Sequence, residues 1–164
     1  MNPVWFVLAG FVAAVPHHRP APLSPSLVGT WRLAAFEVRD SAGVVTYPMG
    51  RHTDGQLILD TSGHASLHIM NPERPRFAVE DRARGTDAEV RAAFVGYLAY
   101  YGRYTVDEAK TTLTIRVEGA SFPNWIGSDQ IRRYAFVRDS LIITTPPMTA
   151  NGSRLTTRLA WVRL

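Results

Sequence analysis

The chain has 164 residues, 46% of them hydrophobic and 20% charged, which suits one globular domain burying about 70% of its unfolded surface. It contains no cysteine, so disulfides, thiolate metal sites, a cysteine nucleophile and a lipobox anchor are all excluded. The net charge of +4 comes from 17 arginines and one lysine. Arg74, Arg76, Arg82 and Arg84 alternate with Glu73, Glu80 and Asp81, however. A nucleic-acid surface needs an uninterrupted basic face with aromatic platforms, so no nucleic-acid partner is expected.

Residues 1–26 differ in composition from the rest. The run 4–15 is almost purely apolar and is followed by His17-His18-Arg19-Pro20-Ala21-Pro22, an extended linker. About twelve apolar residues are too few to span a bilayer of roughly 30 Å but match the apolar region of a signal peptide. Val12-Ala13-Ala14 places small residues for cleavage after Ala14. Segment 1–26 is therefore expected to be a candidate signal peptide and linker, and the protein exported, to the periplasm or beyond. Without cleavage it would stay cytoplasmic; a floppy tail is the alternative. Residues 27–164 form the domain proper.

From Val28 onward the chain reads as strands separated by turn signals. A strand over 28–39 stops at Asp40-Ser41-Ala42-Gly43, and a short one over 44–47 ends at Pro48-Met49-Gly50. Strands over 55–60 and 64–70 flank Thr61-Ser62-Gly63. Residues 71–96 are the one long connection, and their first half, with Pro72 and Pro75, reads as a surface loop. Thr86-Asp87-Ala88-Glu89 is a capping box that starts a helix. Val90, Ala93, Phe94 and Tyr97 follow at i, i+3, i+4 and i+7, an apolar stripe expected to face the strands. Such a helix serves either as a lid or as a fixed packing element. Strands over 98–106 and 111–119, then 130–137 and 141–145, are joined by tight turns, and Asn151-Gly152 is the strongest hairpin signal before the last strand, 154–164.

Eight or nine consecutive antiparallel strands close most simply as an up-and-down barrel, which removes exposed edges. The rival, a β-sandwich, usually needs several long crossovers. The predicted class is all-β, with one short α-helix between strands.

Three segments carry a family resemblance. Leu27-Val28-Gly29-Thr30-Trp31-Arg32-Leu33 puts a Gly-x-Trp at the mouth of the first strand. Phe122-Pro123-Asn124-Trp125-Ile126-Gly127 puts a Trp in a Pro-containing loop, and Leu159-Ala160-Trp161-Val162-Arg163 ends the chain. Together they resemble the lipocalin-like domain family of bacterial and fungal proteins, over nearly everything after residue 26. The resemblance implies a calycin-type barrel around a pocket, with Trp31 plugging the closed end and Arg163 lying over it. Trp161 shares a strand face with Arg163 and joins this structural set. A cation–π contact of ~1–2 kcal/mol would suit the Trp31–Arg163 pair.

An eight-stranded barrel has an interior just wide enough for one small ligand. Tyr100, Gly102 and Tyr104 share a strand face, and tyrosine combines apolar area with one hydroxyl, which suits either a pocket or plain core packing. Trp125 is expected at the barrel rim. Gln130, Arg132 and Tyr134 share a face; an inward Arg132 would need a partner such as Glu37 or Glu118, or an anionic group on a ligand. Its alternative is a solvent-facing arginine. His64 and His68 share a strand face but lie ~13 Å apart, too far to share a metal ion. His68 could line the interior or simply bond to its strand neighbours. The candidate ligand-binding set is thus His68, Tyr100, Tyr104, Trp125, Arg132 and Tyr134.

No Gly-x-Ser-x-Gly, P-loop, dinucleotide-binding glycine pattern or His-Glu-x-x-His occurs, so no catalytic residue, metal or cofactor is assigned. The resemblance also implies histidines in the strand that here holds Ile115, Arg116 and Val117, and their absence weakens transfer of an acid–base mechanism. The leading expectation is a barrel that binds a small, mainly hydrophobic molecule. A cofactor-independent cyclase or isomerase for a polyketide- or terpenoid-like substrate is one alternative, and a ligand-free interaction scaffold another. The oligomeric state is not fixed by the sequence.

Overall fold

The computed structural model describes residues 26–150 and 152–164. The apolar segment, its proposed cleavage site and the linker lie outside the described residues. Ten strands appear in chain order: β1 (Gly29–Asp40), β2 (Val45–Thr46), β3 (Asp54–Leu59), β4 (His64–Met70), β5 (Tyr97–Asp107), β6 (Thr112–Ala120), β7 (Asp129–Val137), β8 (Ser140–Thr144), β9 (Met148–Ala150) and β10 (Ser153–Arg163). One α-helix, α1 (Asp87–Val95), lies between β4 and β5.

Eight strands close into a barrel in the order β1-β3-β4-β5-β6-β7-β8-β10, and β10 pairs back onto β1 over nearly its whole length. β2 and β9 are short additions to the far halves of β1 and β10. Every pairing is antiparallel. Closure leaves no long edge to aggregate, which a small disulfide-free β-protein otherwise has to guard against. Among the described residues no helix is long and apolar enough to cross a membrane.

Strand alternation sorts the side chains. On β4, Ala65, Leu67 and Ile69 are buried while His64 and His68 are exposed; on β6, Leu113, Ile115 and Val117 are buried. The tight turns after β3, β5 and β7 gather at the end where β1 begins and β10 finishes. That end is closed. The longer connections, including α1 and the loop after β6, gather at the other.

The closed end is plugged by Trp31, whose indole Nε1–H donates to the Leu27 carbonyl at 3.0 Å. Gly29 has φ +147°, and a Cβ there would overlap the Arg163 guanidinium, so only glycine lets the strand start this close to the last one. Trp161 is fully buried beside this plug, paired with Leu33 across the seam. Gly102 meets a similar demand mid-wall. A Cβ there would overlap the Arg116 carbonyl oxygen, where a bulge shifts the β5–β6 register.

The helix departs from expectation. Its capping box forms as read from the sequence, with Thr86 and Glu89 bonded reciprocally. Its apolar stripe does not bury against the barrel: Val90 is 48% and Phe94 51% exposed, and no residue of α1 is buried. The reason is local tethering. Glu89 also accepts from the Ala78 amide at 2.7 Å, and Arg74 lies over Tyr97 and reaches the Ala93 carbonyl. These bonds hold the nine-residue helix to its own loop rather than to the strands.

Candidate functional site: a cavity at the open end of the barrel

A cavity of about 170 Å³ opens inside the barrel at the end opposite the Trp31 plug. Its floor is apolar: Leu67 and Ile69 from β4, Leu98 from β5 and Leu159 from β10. Each projects inward because it occupies the buried phase of its strand. Phe36 closes the β1 side.

Two aromatic rings shape the mouth. Trp125 sits in a single 3₁₀ turn, Pro123–Trp125, and meets the Tyr100 ring edge-on at 5.8 Å between centroids. Phe122 packs edge-on to the other side of Trp125 at 5.6 Å. Such edge-to-face pairs fix ring orientation beyond what area burial does.

One guanidinium faces this apolar space. Arg132 lines the cavity, donating to the Gln130 side-chain oxygen at 2.7 Å and to the Ile131 carbonyl at 2.9 Å. Gln130 in turn donates to Ser128 Oγ at 3.1 Å, and Ser128 donates to the Trp125 carbonyl at 2.7 Å. This chain of bonds ties the guanidinium to the loop that carries Trp125. Among the described residues Arg132 has no carboxylate partner. The two acids expected to serve are taken: Glu37 pairs with Arg158 at 3.5 Å and Glu118 with Arg103 at 3.6 Å.

Tyr100 completes the polar end. Burial pushes its phenol above the ordinary range, while the Arg132 guanidinium beside it pulls the other way. Burial is the larger effect, so the hydroxyl stays protonated and remains a donor. The wall next to Arg132 is also incomplete. The β7–β8 ladder stops at Arg133 and Thr144, so residues 129–132 pair only with β6.

The structure brings together Tyr100, Trp125 and Arg132 and leaves the other three candidates elsewhere. Tyr104 is buried toward the closed end, where its hydroxyl donates to the Asp60 carbonyl at 2.8 Å. Tyr134 shares the inward phase of Arg132 but packs against Phe136 near the plug, ring centroids 6.3 Å apart. His68 points outward. Its Nδ1 lies 2.6 Å from the Tyr97 hydroxyl and its Nε2 3.1 Å from Ser66 Oγ, in a shallow groove of about 360 Å³ on the outer wall. The reason is strand phase: Leu67 and Ile69, its neighbours, occupy the inward positions.

Several lining residues escaped the sequence reading. Thr157 and Leu159 share the face of Trp161 and Arg163 on β10, so alternation alone would have found them. Thr145 likewise follows the phase of Leu141 and Ile143 in the predicted strand over 141–145, whereas Met148 had no such signal, because the Pro146-Pro147 pair hides the short β9 that holds it.

A model of the lipocalin-like domain matches residues 28–164. The chain belongs to the lipocalin-like domain family. It is also 37% identical over 106 residues to a protein of Aspergillus oryzae (strain ATCC 42149 / RIB 40) named 4'-hydroxy-3'-methoxypropiophenone carrier protein ppsC. That alignment covers 60% of this chain and 96% of the relative. No solved structure gives a significant match. The chain thus combines this family's barrel, with its Trp31 plug and open-end cavity, and a sequence similarity to a protein named as a carrier.

Proposed function

We propose that this lipocalin-like barrel is a carrier that holds a small, mainly hydrophobic molecule in its open-end cavity, with one oxygen of the ligand on Arg132 and Tyr100. The observation that supports it most is the Arg132 guanidinium, without a carboxylate partner among the described residues, facing a mainly apolar space. Arg132 is half-buried without a carboxylate, and a ligand oxygen would supply it a charge-assisted hydrogen bond. The size fits one aromatic ring: about 170 Å³ is close to the roughly 150 Å³ of an apolar cavity that binds benzene. The cargo in the fungal relative's name is itself a one-ring phenolic ketone. We extend that ligand class to this chain.

The test is a titration with 4-hydroxyacetophenone followed by tryptophan fluorescence, since Trp125 lines the cavity. Saturable quenching that is lost when Trp125 is replaced by Phe supports the reading. Absence of any saturable change, by fluorescence and by calorimetry, contradicts it.

Export completes the proposal. The apolar run at 4–15 motivates it, and N-terminal sequencing of protein from its own host should find a chain starting at Val15. An intact Met1 or Asn2 terminus would sink that part.

A further inference from the structure

The donors that face the cavity have one property in common: none of them needs an acidic hydrogen from the ligand. Arg132 is donor-only, and Tyr100, which lines the same cavity, is a phenol that burial keeps protonated, so its O–H can donate. Thr145 Oγ1 is engaged in accepting the Thr157 amide at 2.9 Å. Around the lining, β1 contributes Phe36, β4 two aliphatic side chains and β10 Thr157 and Leu159, so among the described residues Arg132 is the only charged group there and Tyr100 the only other titratable one.

A neutral phenol placed here must turn its hydrogen away from Arg132, which has no lone pair to accept it. Its anion would bring only acceptor lone pairs, which match both groups. We infer that the cavity holds a phenolic ligand as its anion, the ionised oxygen lying between the Arg132 guanidinium and the Tyr100 hydroxyl. This rests on the carrier reading and adds the ionisation state of the cargo. The step is a simple deprotonation: the ligand O–H bond breaks, its electron pair stays on oxygen and the proton leaves to water.

Two effects oppose each other. Removing an anion from water disfavours it, whereas a cation within hydrogen-bond reach favours it, commonly by about one to three pKa units. The second should prevail here. Arg132 is only partly buried and stands where the wall opens beside β7, so the site is not fully desolvated, and the chain through Gln130 and Ser128 holds the guanidinium in place. Each unit of pKa lowering corresponds to roughly tenfold tighter binding of the anion than of the phenol. Affinity for a weakly acidic phenol should therefore rise with pH from the midpoint of the bound ligand to that of the free ligand and then level off. The carrier would then release its cargo most readily in acid, as the neutral phenol.

The probe is 4-nitrophenol, whose anion is yellow and whose neutral form is colourless. Its absorbance is titrated against pH, free and with saturating protein, and 4-nitroanisole serves as an analogue that cannot ionise. The expected midpoint for bound nitrophenol is about one to three units below that of the free probe. In Arg132→Met the shift should vanish. In Arg132→Lys, which keeps a cation, part of it should remain, so a folding defect is told apart from loss of charge. If both probes bind wild type but nitrophenol ionises at or above its free midpoint, the inference is overturned and the carrier reading survives. If neither probe binds, both fail.

Discussion

The guanidinium carbon of Arg163 lies 4.1 Å from the centroid of the Trp31 ring, and the two residues are in direct register across the β1–β10 seam. The same guanidinium donates to the Val28 carbonyl at 2.7 Å and the Ser26 carbonyl at 2.6 Å. One side chain thus caps the plug and fastens the entry of the chain onto its last strand. Barrel closure brings together residues 132 positions apart, and the contact exists only once the seam has formed.

Trp31→Ala should destabilise the barrel by roughly 3–5 kcal/mol, the usual cost of deleting a fully buried large aromatic. Arg163→Ala should cost less, because the guanidinium is exposed and a cation–π contact contributes about 0.5–2 kcal/mol. A double-mutant cycle by urea denaturation should give a clear coupling term, since the two touch. Additive effects would show that the contact contributes nothing.

Gly102→Ala is expected to be destabilising by roughly 1–3 kcal/mol or more, because the added methyl overlaps backbone and not a movable side chain. The damage should spread to the cavity, since Tyr100 lies two residues away on the same face. A fully stable Gly102→Ala protein would mean that the β5–β6 bulge relaxes freely.

The strand pattern and the capping box were legible because each depends on local chemistry: alternation, turn residues, and Thr86 with Glu89 three positions on. Closure was legible through the count of short connections. The site was legible only in part. Tyr100, Trp125 and Arg132 lie on strand faces or in a loop whose direction the sequence suggests. His68 illustrates the missing information, because a period of two gives two faces and does not say which one is inside. Only the neighbouring Leu67 and Ile69 decide it. Tyr104 and Tyr134 have the right face but the wrong height along the barrel, which depends on strand stagger. The α1 stripe misled because an apolar helical period records a preference, whereas the bonds from Glu89 and Arg74 determine where the helix sits.

Glu89 gives a pH prediction. Backbone amides of Thr86 and Ala78 and the Thr86 hydroxyl hold its carboxyl below the ordinary glutamate value of 4.5. A lowered native value means that its contribution is complete above the ordinary value and is lost as pH falls through the lowered one. Hydrogen exchange at the Ala78 and Val90 amides should therefore accelerate in acid relative to barrel amides such as Leu113. In Glu89→Gln that relative change should be absent. Equal acid dependence in both proteins would remove the carboxylate from the account.

The most direct measurement of the central claim is an amide and indole NMR map recorded while 4-hydroxyacetophenone is titrated into the isotopically labelled protein. The interior cavity at Trp125 and Arg132 competes for the probe with outer grooves, among them the one at Gln56, His68 and Tyr97. The expected result is saturable shifts at the Trp125 indole and the amides of Tyr100, Arg132 and Leu159, with the outer groove silent. Shifts confined to Gln56, His68 and Tyr97, or no saturable shift anywhere, would contradict the claim that the barrel interior is the binding site.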